Sequence, residues 1–297
     1  MKIRLVENNE IDLFKWDSCI LNSINGLPYA YSWYLNIVSD NWKAIVMDNY
    51  EAVMPLLEDK LFSLVPYIRN DVLVPQLGIF TTKLLTKENK EQFFDILLDK
   101  YKWFNIRLNK LSTISFPSIH YQTTERYELD LINTYQRITK NYHSSLQKKL
   151  DNAEKNKITV VKGLMPNDLL KLVNDRFFSV NKSFIMSLRI LSSTTLRYRV
   201  GQIYGAYTMH NNICSAVLFL KSNKKVIMLV TAFTEEAIAS NAIEKTIDYY
   251  LKMHAENDLT LVFENIGHKR MFIDYATFGS KKMNYQTIRQ KRGLIRF

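Results

Sequence analysis

Hydrophobic and polar positions along the chain fall into two successive series of elements. In the first, Tyr31, Tyr34, Leu35 and Val38 recur at helical spacing and predict a helix over 29–38, introduced by Pro28. The β-rich runs 42–47 and 51–57 are separated by Asp48-Asn49-Tyr50, whose residues tolerate a tight hairpin turn. Runs 61–67 and 73–80 also read as extended. Phe94, Leu97, Leu98 and Tyr101 line one face of a helix over 86–101, and strands are expected over 103–108 and 126–131.

The second series opens with a helix from Ser144 or Ser145, either of which would cap it, with Leu146, Leu150 and Ala153 on its buried side. A strand over 158–162 and a helix over 166–178 follow. Runs 202–209 and 213–220 then flank the turn His210-Asn211-Asn212 and predict a second hairpin, followed by a strand over 226–233. Thr234 is placed to cap one long helix, with Glu235 and Glu236 in its first turn and Lys252 and His254 in its last, as the helix dipole favours. Ile243, Ile247 and Leu251 mark its core face.

The two series match in order. Met47-Asp48-Asn49-Tyr50 corresponds to Met209-His210-Asn211-Asn212, and the segment Phe104 to Asn109 corresponds to Thr260 to Asn265 at nearly the same separation. Such near-constant offsets point to a duplicated unit. We therefore expect domains at 1–132 and 133–297.

Composition supports a packed protein rather than a linker-rich one: 297 residues, 47% hydrophobic and 12% aromatic, with 8 Gly and 6 Pro. No apolar run approaches the roughly 18 residues that a membrane span needs, and the opening MKIRLVENNE carries acids where an export signal would be apolar. A cytoplasmic protein is expected, with Cys19 and Cys214 as buried reduced thiols. The histidines share no metal-ligand spacing, and no metal is expected. The net charge of +11 is concentrated in two stretches. One holds Lys140, Lys148, Lys149, Lys155 and Lys157 against Asp151 and Glu154. The other, C-terminal, holds Lys281, Lys282, Arg289, Lys291, Arg292 and Arg296 with no acid. Both suit nucleic acid or another anionic surface, and both equally suit plain solvation.

Several segments, taken in order, resemble the FemAB-like branch of the GNAT acyltransferase superfamily. In the first half they are Trp16-Asp17, Tyr29 with Ser32-Trp33-Tyr34-Leu35, Trp42, Tyr50, Val53-Met54-Pro55-Leu56 and Gln76-Leu77-Gly78-Ile79-Phe80. In the second they are Lys148-Lys149 with Ala153, Ala216 with Leu218-Phe219-Leu220, Phe263-Glu264 and Phe278-Gly279. The resemblance implies an α/β (α+β) fold of two tandem GNAT-like domains, each a mixed, mostly antiparallel sheet flanked by helices. It also implies transfer of an acyl or aminoacyl group to the amine of a small molecule or peptide. Nothing need be bound permanently; the donor would be aminoacyl-tRNA, acyl carrier protein or acyl-CoA. In such a fold the backbone N–H groups of Val230, Thr231, Ala232 and Phe233 would face the donor. Glu264 would accept the amine's proton, Tyr275 would return one to the leaving group, and Lys148 and Lys149 would bind tRNA phosphates. Oligomeric state is left open.

Gly267-His268-Lys269-Arg270, at the expected start of the helix holding Tyr275, would form either an exposed polar turn or an anion site. The chain departs from the family pattern at Val262, Asn265, Ile266 and Ile273, which favours an alternative in which a catalytically decayed protein binds or scaffolds. Thr234-Glu235-Glu236-Ala237-Ile238-Ala239-Ser240 lacks the glycines of a CoA pyrophosphate loop and places two carboxylates there, which disfavours CoA. The first half offers only Arg107 and Asn109 where the second has Glu264, so chemistry is expected in the second half.

Overall fold

The structure is a computed structural model and describes residues 2–61, 64–173, 181–264 and 273–290. It divides into two compact units, Met1–Glu125 with Asn284–Phe297, and Arg126–Met283. A split at 132/133 lies near the first change of unit but does not carry the return of the C-terminal segment to the first unit.

The first unit contains β1 (Ile3–Val6), α1 (Leu13–Asn22), α2 (Ser32–Val38), β2 (Lys43–Met47) and β3 (Ala52–Leu56), followed by β4 (Glu58–Leu61), β5 (Val65–Ile68) and β6 (Phe80–Thr81). Next come α3 (Lys87–Lys100), β7 (Asn105–Arg107) and the start of β8 (Ile119–Asp130). Strands β1, β2, β3 and β6 form an antiparallel sheet, and β4 and β5 a separate hairpin. The β2–β3 hairpin stands as expected, with Asp48 and Tyr50 at positive φ in its turn. α3 also stands, its Thr86 side chain accepting the Asn89 N–H and its Phe93, Phe94 and Leu97 buried.

Three local expectations are corrected here. The helix over 29–38 is a 3-10 turn, Pro28–Ala30, and a separate α2, because extended Tyr31 interrupts it. Asp17 holds that break: its carboxylate accepts from the Ser32 N–H at 2.8 Å and hydroxyl at 2.7 Å, a cap supplied by another helix. The run 61–67 is not one strand: Leu61 ends β4, and Val65 opens β5, which pairs back on β4. The run 73–80 is mostly irregular, meeting its neighbour through the single parallel bridge Leu77–Leu108 before β6.

The second unit holds the rest of β8, then α4 (Tyr135–Thr139), α5 (Ser144–Lys155), β9 (Thr159–Lys162), α6 (Pro166–Leu172) and α7 (Lys182–Arg197). β10 (Gly201–Tyr207), β11 (Ile213–Ser222), β12 (Lys225–Phe233), α8 (Glu235–Ala239), α9 (Ala242–His254) and β13 (Thr260–Phe263) follow. A 3-10 turn, Tyr275–Phe278, leads into β14 (Lys281–Gln290), whose later residues pair with β7 in the first unit. The sheet runs β8-β13-β12-β11-β10-β9, antiparallel except for β12 and β13, whose parallel pairing requires the α8–α9 crossover. α9 covers it through Tyr250, stacked on Phe219 at 3.8 Å.

Here too the helices differ in detail. α5 is capped by His143, whose Nδ1 accepts the Ser145 N–H, rather than by Ser144 or Ser145. The single long helix after Thr234 is two: Thr234 caps α8, and Asn241 at φ 57 restarts the chain into α9. α7 was not anticipated from the sequence. Cys19 and Cys214 are buried and free, and burial pushes both thiols up to about 11. Among the described residues no helix is long and apolar enough to cross a membrane, and no cluster of three His, Cys, Asp or Glu is placed to hold a metal ion.

Candidate active site

The site is built where two neighbouring strands stop pairing. β12 and β13 run in parallel register from Lys225–Thr260 to Met228–Phe263, and the Glu264 N–H closes the ladder on the Met228 carbonyl at 3.2 Å. β13 ends there, but β12 continues to Phe233, paired among the described residues only with β11. At the same point the β11–β12 register slips between Leu218 and Phe219, leaving Leu229 as an extra residue in β12. A bulge of this kind bends and twists the strand that carries it.

The direction of the N–H groups follows from one hydrogen bond. Thr234 N–H donates to the Cys214 carbonyl at 2.9 Å. Alternation along an antiparallel pair then turns the N–H groups of Ala232 and Val230 toward β11, and those of Thr231 and Phe233 toward the other edge, past the end of β13. Of the four residues expected to face a donor, Thr231 and Phe233 thus turn their N–H groups away from β11 and Val230 and Ala232 toward it. Thr231 is buried, and its hydroxyl has no partner among the described residues.

Glu264 lies at the end of β13, opposite Arg126 on β8, one step beyond the Phe263–Tyr127 pair. Arg126 Nε is 2.9 Å from Glu264 Oε2; the Glu264 side chain has 0% exposure and that of Arg126 16%. Tyr275 is buried beside them, its ring stacked on Phe263 at 4.6 Å and 6.3 Å from Tyr127. Burial, and after it the negative charge of Glu264, push its phenol well above the ordinary range, with Arg126 partly opposing. Tyr275 is thus a protonated donor near neutral pH. Arg126 was not singled out from the sequence. Its only signal there is position, as a cation opening a strand that must pair with the strand ending at Glu264.

A second ion pair joins the neighbouring helices. Lys149 Nζ on α5 is 2.9 Å from Oε1 of buried Glu244 in the first turn of α9. Asn152 Nδ2 donates to the Ala239 carbonyl at 3.0 Å and to Asn241 Oδ1 at 2.9 Å, and Lys245 pairs with Glu154. α5 therefore clamps the α8–α9 junction, and the charge of Lys149 is committed to Glu244, whereas Lys148 lies exposed. Carboxylates occupy the first turns of both helices, Glu235 and Glu236 in α8 and Glu244 in α9. Gly267, His268, Lys269 and Arg270 lie outside the described residues, as do Lys291, Arg292 and Arg296. Lys281 pairs with Asp130 at 3.3 Å.

Among solved structures, the chain is similar to FemX, with a TM-score of 0.62 at 11% identity, covering 96% of this chain and 97% of that one. The fold is thus like that of FemX. L-PGS from Bacillus licheniformis superposes with a TM-score of 0.57 at 10% identity over 95% of this chain and 93% of its own. A conserved protein of unknown function from Bacteroides thetaiotaomicron does so with 0.59 at 9% over 94% and 97%. No protein-family model matches the sequence, and none of the curated proteins does. At these identities the likeness is one of fold. The mixed, mostly antiparallel sheets agree with the expected fold class, and β1-β2-β3 in one unit answers to β9-β10-β11 in the other.

Proposed function

We propose that this FemAB-like protein transfers an acyl or aminoacyl group to an amine of a small molecule or peptide, and that the reaction takes place in the unit Arg126–Met283. The observation that carries the reading is the parting of β12 from β13, which directs the Thr231 N–H past the strand end where Glu264 and Arg126 stand. An acyl carbonyl laid along that edge would be polarised by the Thr231 N–H, a backbone donor that needs no reorganisation as charge develops. The amine attacks, a C–N bond forms, and the donor's C–O or C–S bond breaks. The amine's proton passes toward Glu264, and Tyr275, held protonated, supplies one toward the leaving group. Accepting a proton would cost Glu264 its attraction to Arg126, so it suits orienting the amine and relaying the proton better than storing it.

Aminoacyl-tRNA is the donor we favour, with acyl carrier protein next, and the reaction would then be cytoplasmic. The acids at the starts of α8 and α9 would repel a CoA pyrophosphate, and exposed Lys148 is available to a tRNA phosphate. One observation favours the alternative, a binding or scaffold protein: the complete enclosure of Glu264 against Arg126. The two readings separate in a mass-spectrometric screen of aminoacyl-tRNAs, acyl carrier proteins and acyl-CoAs with amine acceptors. Amide product, lost by about 10²–10⁴-fold in Glu264→Gln, supports transfer. A donor that binds without being consumed supports the scaffold, and undiminished turnover in Glu264→Gln overturns the role given to that residue.

A further inference from the structure

We propose that the outward face of α7 is a docking surface for an anionic phospholipid bilayer. The inner face of this helix is accounted for: Phe184, Leu188, Leu191, Ser192 and Thr195 are buried. Its outer face repeats Lys182, Met186, Arg189, Ile190, Ser193 and Arg197 at helical spacing, all exposed. Met186 is 57% and Ile190 44% accessible, so large apolar side chains stand in water between cations. Arg189 reaches Asn167 Oδ1 at 3.4 Å, which brings the start of α6 to the edge of this face together with Met165, 63% exposed. Past the helix end, Tyr198 adds a further half-exposed ring under the Arg197 guanidinium at 5.3 Å.

Among the described residues of α7 the charged side chains are all cationic. α7 contains no acid, and none occurs in the sequence from Arg176 to Thr234. Asp168, the acid of α6, is taken up by Lys171 and by the Met165 N–H. A helix with a cationic polar face and interspersed Met and Ile suits the plane of a bilayer surface. Its apolar tips would enter the acyl boundary while Lys and Arg extend along it to anionic headgroups. Nucleic acid would use the cations but leave Met165, Met186 and Ile190 unexplained. The proposal rests on this surface alone and does not depend on the transfer reaction.

The test is sedimentation of the full chain with vesicles of phosphatidylglycerol in phosphatidylcholine, and with phosphatidylcholine alone. Binding to the first, weakening as salt rises, is the expected result. Arg189→Gln with Arg197→Gln should lower the partition coefficient about 25-fold, at about fivefold (about 1 kcal/mol) for each cation near an anionic surface. Met186→Ser with Ile190→Ser should also lower it, leaving the salt dependence in place. All four side chains are exposed, so circular dichroism melts should match the parent; Lys182→Glu supplies an independent charge variant. Failure to bind the anionic vesicles, or binding unaffected by both double variants, overturns the proposal. So does tRNA binding that the arginine variant abolishes while vesicle binding persists.

Discussion

Arg126→Met is the perturbation whose outcome follows most directly from the geometry of the site. Methionine keeps much of the arginine's length but removes the cation 2.9 Å from Glu264. The two partners are not equally placed to survive alone. Arg126, at 16% exposure, has a path to water, whereas Glu264, at 0%, has none. Leaving a buried charge without its partner costs about 3–5 kcal/mol. Glu264→Gln instead leaves a neutral amide facing a guanidinium that can turn outward, at about 1–3 kcal/mol. The double variant should fall short of the sum by about 2 kcal/mol, the coupling expected of residues in contact.

The assay can be confined to the unit concerned. Trp16, Trp33, Trp42 and Trp103 are the chain's only tryptophans, and all lie within Met1–Glu125. Their emission reports the first unit, while far-UV circular dichroism reports both. Amide exchange at Tyr127, Val262 and Phe263 reports the second. With an m-value of about 2 kcal/mol/M in urea, Arg126→Met should lower the midpoint seen by those amides by about 1.5–2.5 M. Equal losses in Arg126→Met and Glu264→Gln, or strict additivity in the double variant, would show that burial asymmetry does not govern this pair.

Two further outcomes are expected. His254 at the end of α9 contacts the Tyr204 hydroxyl at 3.0 Å, and burial, then Lys162 and Lys221, lower its pKa from the usual 6.5. Protons therefore bind the unfolded chain more readily, so His254's contribution is complete above pH 6.5 and lost as pH falls toward its folded value; thermal melts from pH 7.5 to 5 should lose this component in His254→Gln. Gly78 has φ +107, and an added Cβ would lie 2.6 Å from Ser112 Oγ. Gly78→Ala should thus cost the first unit about 1–3 kcal/mol, read as a lower urea midpoint in tryptophan emission.

What the sequence disclosed and what it hid divide along the range of the forces involved. α3 and α8 were legible because their caps, Thr86 and Thr234, lie next to the helices they start. The break before α2 was not, because Asp17 acts from another helix. Nor was the break between α8 and α9, where left-handed Asn241 is held by Asn152 of α5. α7 escaped notice because Ser192-Ser193-Thr194-Thr195 reads as a polar, non-helical run. In the structure Ser192 Oγ donates to the Leu188 carbonyl at 2.7 Å and Thr195 Oγ1 to that of Ser192 at 2.9 Å. Hydroxyls satisfied on the helix's own backbone can be buried. Glu264 was reached through family resemblance, whereas Arg126, which sets its electrostatics, required strand register.

The first unit also bears on why chemistry should reside in the second. There the counterpart of β13 is β7, and the counterpart of the part of β12 beyond β13 is the irregular run reaching Ile79. That place is stitched shut. Leu77 N–H donates to the Arg107 carbonyl and Asn109 N–H to that of Leu77, both at 2.7 Å. Asn109 Nδ2 then donates to the Ile79 carbonyl at 3.0 Å, and Ser112 Oγ accepts the Ile79 N–H at 2.6 Å. Asn109, which sequence comparison set opposite Asn265 as a residue lacking proton chemistry, is therefore employed in closing the gap, and Gly78 is needed to let Ser112 approach. Where the second unit directs the Thr231 N–H past a strand end, the first engages the Leu77 N–H on the Arg107 carbonyl and the Ile79 N–H on Ser112 Oγ.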